Sequence, residues 1–215
     1  MLLDVLPATV TAVATWALLN APAYLSGRSQ WERFWSVAID RGPDQGTLWT
    51  ILAGVSDVSD STKRHLSVIL LELWAGAVVA LALLAPRPPR VSQVALLLVA
   101  GVLLLRVSYE PQQALWLLPL AALARPRWRD LLIWQAGEVM FLALHSWWRG
   151  GLLDPGGEGV AGFYWIGIVL HVLGTGWLVA QVVRDVRWPE EDPVVEARAH
   201  RQGQLTRTVS NDVAV

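Results

Sequence analysis

The chain contains no cysteine, which excludes disulfides, thiolate metal sites and cysteine nucleophiles and leaves its redox compartment open. It is also poor in charge: 16% of its 215 residues are charged against 54% hydrophobic, far from the balance of a soluble domain and close to that of a membrane-embedded one. Seventeen basic residues nearly balance eighteen acidic ones, so no overall field points to nucleic acid. A phosphate-binding loop of the G-x-x-x-x-G-K-[ST] type is missing, as are HExxH and a GxSxG elbow. The four histidines lie far apart, without metal-ligand spacing, so neither a metal nor another cofactor is expected. The N-terminus shows no short apolar region ending in a small-residue cleavage site, so no removable signal peptide is expected.

Long apolar runs and tryptophan are abundant. Spanning a bilayer takes about 20 apolar residues, and that length predicts an all-α, polytopic transmembrane bundle of about six spans. They lie near 5–25, 66–85, 91–107, 112–124, 131–148 and 161–183, within a transmembrane domain covering 1–187. The third and fourth are short, so either flanking arginines snorkel or a helix does not fully cross. Several of the thirteen tryptophans sit at the ends of apolar runs, where an amphipathic ring favours the headgroup region. The connectors "APRPPR" (85–90) and "ARPRWR" (124–129) and the chain after Val183 carry ten of the seventeen basic residues. Basic loops are retained inside, which predicts a multi-pass plasma-membrane protein with both termini cytoplasmic.

The outer side then receives 26–65, the turn at 106–111 and the Gly-rich loop 149–162. Within 26–65, Trp31, Phe34, Trp35 and Ala38 share one helical face, as an interfacial helix requires, and "TLWTILAGV" predicts a short helix. From Trp188 the composition turns mixed and polar, and 188–215 is expected to be a disordered cytoplasmic tail.

Two groups of residues carry possible chemistry. The outer one combines Asp40, Arg41, Asp44 and Trp49 with Arg106, Tyr109, Glu110, Gln112 and Gln113. Arginine forks onto phosphate, carboxylates and amides hold sugar hydroxyls, and Trp or Tyr stacks on a sugar face. The same residues also fit a purely structural part, with Asp40 and Asp44 making an Asx-type turn, Glu110 and Gln112 starting a helix, and Arg106 snorkelling. The intramembrane group is Glu72, Glu138, His145 and His171. A charge at mid-bilayer costs at least about 2.5 kcal/mol, so each should face protein or be neutralised. Glu138 and His171 fall near the middles of the fifth and sixth spans, where they would form either an interhelical hydrogen bond or part of a proton path. Gly174 and Gly176 in "LGTGW" suit close helix packing better than cofactor binding.

Two stretches, "RFWSVAIDRGPDQGTLWTIL" (33–52) and "YEPQQALWLLPLAALARPRWRDLLIWQAGEV" (109–139), resemble the C-terminal half of actinobacterial membrane glycosyltransferases of the GT-C architecture. Those enzymes are polyprenyl-phosphate-sugar-dependent and mannosyltransferase-like. Asp40, Arg41, Gly42, Asp44, Gly46, Leu48 and Trp49 match the first family stretch, and Pro111, Gln112 and 115–119 match the second. Glu110 stands where the family pattern has serine, and Thr47 also replaces a serine. The resemblance implies transfer of a sugar from a lipid-phosphate donor, with a carboxylate deprotonating the acceptor hydroxyl. The family's catalytic acidic residue lies on a loop ahead of the matched portion. The chain is therefore expected to be inactive alone or to work with a separately encoded N-terminal half, and Asp40 is the one candidate base. A non-enzymatic membrane scaffold or lipid-phosphate-binding protein is the alternative from another class, and a small transporter using the intramembrane Glu and His residues is a third.

Overall fold

The computed structural model describes residues 2–40, 46–153 and 162–197. These are 84% helical, with no strand among them, so the all-α expectation holds. The chain divides into two compact units, 1–41 and 42–215.

In the first unit, α1 (Leu2–Ser26) and α2 (Arg28–Asp40) meet at Gly27. α2 is the amphipathic helix expected there. Its Trp31, Phe34 and Trp35 form an edge-to-face aromatic row that Tyr24 of α1 extends, and the Trp31 indole donates to Asn20 at 3.3 Å.

The second unit holds α3 (Leu48–Val55), α4 (Asp60–Leu84), α5 (Val91–Leu105), α6 (Ala114–Ala124), α7 (Trp128–Arg149) and α8 (Gly162–Arg187). Prolines mark two of its boundaries, while Pro119 lies inside α6. α4 stops before the Pro86, Pro88 and Pro89 connector, with Ala85 extended. Pro111 opens a single 3-10 turn that runs into α6, where its missing N–H costs nothing. The Gln113 side chain accepts from the Glu110 N–H at 3.3 Å, and the Ser59 hydroxyl caps α4 by accepting from the Thr62 N–H. α6 has only 11 residues, about 16 Å at 1.5 Å per residue, so it does not cross a hydrocarbon core about 30 Å thick by itself.

α7 and α8 form the closest pair. A Cβ on Gly137 would lie 2.6 Å from the Leu170 carbonyl oxygen, and one on Gly174 would lie 3.2 Å from that of Trp134. Only glycine permits this approach, as in membrane helix pairs that pack without a hydrophobic drive between them. Gly176, expected to serve the same purpose, faces open space, so the packing role falls to Gly174 alone in that motif. Around this pair, Leu96, Leu97 and Leu103 of α5, Leu117 and Ala121 of α6, and Ile168, Leu178 and Val182 of α8 are buried in one core.

Among the described residues two helices, α4 and α8, are long and apolar enough to cross a membrane. Their surroundings differ. Half of the apolar window of α8 is buried by protein, whereas that of α4 is 11% buried and exposes Val68, Leu73 and Val79. So large an apolar surface needs a cover other than water. Glu72, expected either to face protein or to be neutralised, lies on this exposed face and has no hydrogen-bond partner among the described residues.

The segment after α8 also differs from expectation. Residues 188–197, read as the start of a disordered tail, form a 3-10 turn (Pro189–Glu191) and a helical turn at 193–197. Asp192 anchors them, accepting from the Arg90 guanidinium at 2.9 Å and from the Gln93 amide at 3.0 Å. A half-open ion pair between distant segments offsets the chain entropy that composition alone would leave dominant. The rest of the expected tail, 198–215, lies outside the described residues.

Candidate functional site

At one end of the second unit, the turn that precedes α3 packs against the α5–α6 turn. The Trp49 indole donates to the Leu105 carbonyl at 3.0 Å, and the Thr47 hydroxyl donates to that of Val107 at 3.4 Å. Ser67 of α4 donates to the same Leu105 oxygen at 2.7 Å. Gly46 has a φ of 93°, and a Cβ there would strike the Tyr109 carbonyl oxygen, so glycine is required both for its conformation and for the approach. The end of segment 33–52 thus meets the start of segment 109–139.

Trp49 and Tyr109, expected to stack on a sugar face, do not offer their rings. They are 8% and 1% exposed and form the floor of the turn. Arg106, Glu110, Gln112 and Gln113 lie at its partly open rim. The Gln112 amide donates to the Glu110 carboxylate, and Gln113 is spent on the cap. Arg106 terminates α5 and has no side-chain partner among the described residues. The side chain of Asp40, together with Arg41 and Asp44, lies outside the described residues.

Beneath the turn, Glu138 of α7 meets His171 of α8. The Glu138 carboxylate is 6% exposed and accepts four hydrogen bonds. One oxygen takes the Trp134 indole N–H at 3.0 Å, His171 Nδ1 at 2.8 Å and the Thr175 hydroxyl at 3.2 Å. The other takes the Tyr109 hydroxyl at 2.8 Å. Tyr109 also stacks on the His171 ring at 4.1 Å. Burial, reinforced by the Glu138 charge and hydrogen bond, pushes the Tyr109 hydroxyl well above its ordinary pKa and keeps it a donor. Glu138 and His171 therefore pair as expected, and through Tyr109 they fix the turn above them. His145 stands apart, one helical turn beyond Phe141, with Nδ1 3.3 Å from the Tyr164 hydroxyl. Glu72 belongs to neither group.

A second polar assembly, at the α6–α7 turn, has no counterpart among the candidate residues read from sequence. Arg125, 1% exposed, donates Nε to Asp130 at 2.6 Å and Nη1 to Asp185. Trp177 donates to Asp130 at 3.1 Å, as does Arg129. For Arg125 and Asp130 burial works against the charge, but the hydrogen bonds outweigh it. Arg125 is held above its ordinary pKa by Asp185 and Asp130, and Asp130 is held below its own by Arg125, Trp177 and Arg129. Next to this clasp, Arg90 donates to the Leu123 and Ala124 carbonyls at 2.8 and 2.7 Å, satisfying the open C-terminus of α6. The signal for the clasp was present in the Arg-Pro connectors, which indicated topology alone until Asp130 and Asp185 were seen beside them.

These features define, among the described residues, a helical protein with two helices able to cross a membrane, a saturated carboxylate between α7 and α8, and a polar rim above it. Compared with models of known families, with curated proteins and with solved structures, the chain shows no match to any.

Proposed function

We propose that this chain is the donor-binding portion of a GT-C-type membrane glycosyltransferase that uses a polyprenyl-phosphate sugar, mannosyltransferase-like in its specificity. It is a multi-pass protein of the plasma membrane, with about six helices crossing or entering the bilayer and both termini on the cytoplasmic side. The rim of Arg106, Glu110 and Gln112 holds the lipid-phosphate sugar, and the attacking hydroxyl is deprotonated by a carboxylate contributed by a separately encoded N-terminal half. The observation that carries this reading is the junction of the two matched stretches, where Trp49 and Thr47 donate to the 105–107 backbone beside an arginine whose guanidinium has no described partner. Such a guanidinium is suited to a phosphate, which it binds with two parallel charge-assisted hydrogen bonds.

The test is binding of a polyprenyl-phosphate sugar to the detergent-purified chain. Arg106→Ala is expected to weaken it by about tenfold or more, since one charge-assisted hydrogen bond is worth about 1.5–3 kcal/mol. Unchanged affinity in Arg106→Ala and Gln112→Ala overturns the site. A transfer assay with and without the product of the neighbouring upstream reading frame then separates enzyme from scaffold: binding without transfer in both arms assigns the protein to non-enzymatic lipid-phosphate binding.

A further inference from the structure

The close approach of α7 and α8 leaves a furrow on their outer surface. It encloses about 420 Å³ and is lined by Ile133, Ala136, Met140, Leu170, Leu173 and Trp177, with Gly137 and Gly174 at its base. Its walls are apolar and open outward, Met140 being 45% and Leu173 63% exposed. Water is a poor occupant of such a furrow, and α8 is long and apolar enough to cross a membrane.

One end of the furrow is polar. Trp177 turns its indole N–H to Asp130, and the Arg129 guanidinium lies 5.9 Å above the Trp177 ring. Arg129 gives only Nε to Asp130, at 3.1 Å, and its side chain is 64% exposed. Its two terminal nitrogens have no partner among the described residues, so the edge that matches a phosphate is open. Asp130 does not repel an anion there with its full charge, because Arg125 also holds it, at 2.6 Å.

We propose that this furrow is a binding site for an anionic glycerophospholipid, with one acyl chain lying between α7 and α8 and the phosphate on Arg129. The apolar trough provides the chain contact, and the arginine on its tryptophan fixes the headgroup by charge and by forked hydrogen bonds. The site lies at the opposite end of α6 from the Arg106 rim and depends only on residence in a membrane.

The experiment reconstitutes the full chain into phosphatidylcholine nanodiscs containing phosphatidylglycerol, extracts it gently and counts retained lipids by native mass spectrometry. The wild type is expected to keep phosphatidylglycerol over phosphatidylcholine by about fivefold, the effect of one basic residue at a membrane surface. Arg129→Ala abolishes that preference while lipid is still retained, Arg129→Lys keeps part of it, and Ala136→Trp, which fills the trough from its exposed wall, lowers retention of both lipids. Equal retention of the two lipids by the wild type, or an undiminished preference in Arg129→Ala, overturns the proposal. So does a dimer that Ala136→Trp dissociates without altering lipid retention, which assigns the furrow to a second copy of the chain. No sugar donor enters the measurement, so its outcome is separate from that of the donor-binding assay.

Discussion

The two buried polar assemblies of the second unit solve the same problem in opposite ways. At Glu138 one carboxylate is surrounded by indole, imidazole and hydroxyl donors that fill its acceptor positions. At the α6–α7 turn the carboxylates of Asp130 and Asp185 share the buried charge of Arg125, and Arg129 adds a second, exposed cation at Asp130. Removing a member therefore has different consequences. Loss of one neutral donor leaves the Glu138 carboxylate with three, whereas loss of Arg125 leaves two buried carboxylates without their main counterion. The first assembly can hold a turn in position, and the second holds helix ends together.

The largest effect expected from that difference is for Arg125→Ala, which should destabilise the protein by about 3–5 kcal/mol, read as a large drop in melting temperature in detergent. Arg125→Met combined with Asp130→Asn and Asp185→Asn should recover most of the loss, because no buried charge then remains unpaired. If the single variant melts like the wild type, the clasp is not a stabilising feature. Next is Glu138→Leu, which strips the common acceptor from four donors and should cost about 2–3 kcal/mol, since unmet buried donors are costly. Tyr109→Phe removes one donor and should cost about 1 kcal/mol. Equal losses in Glu138→Leu and Tyr109→Phe would mean that the four bonds do not act as a set.

A change of about 1–2 kcal/mol is expected for Asp192→Ala at the half-open Arg90 pair, seen most clearly as faster hydrogen exchange across 188–197. The smallest effect is an acid limb. The pKa of Asp130 is lowered in the folded state, so its contribution to stability is fully present above the unfolded value near 3.9 and is lost as pH falls through the lower folded value. Melting followed from about pH 5 down to about pH 2 should show this decline, and Asp130→Asn should flatten it.

Much of the helical framework was legible in sequence. The apolar runs at 66–85, 91–107, 131–148 and 161–183 mark α4, α5, α7 and α8, and the aromatic face of Trp31, Phe34 and Trp35 marks α2. Prolines set the C-terminal end of α4 and the start of α6. The pairing of Glu138 with His171 was also readable, because polar residues at matching depth in apolar helices have few other partners. Glu72 shows the limit of that argument: the same rule had it face protein or be neutralised, and within the second unit it lies on the exposed face of α4. Trp49 and Tyr109 show another limit. Their types suit sugar stacking, but burial against 105–107 and His171 uses the groups that a ligand would need.

Composition, apolar run length and proline placement by themselves determined an all-helical chain with segments able to cross a membrane, because those properties act through local backbone geometry and solvent transfer. Tertiary structure alone decided that Arg125 joins Asp130 to Asp185, that Asp192 returns to Arg90, and that α7 and α8 approach closely enough to leave a furrow ending at Arg129. Those pairings depend on which helix faces meet, and their free energy comes from burial that exists only once the helices are packed.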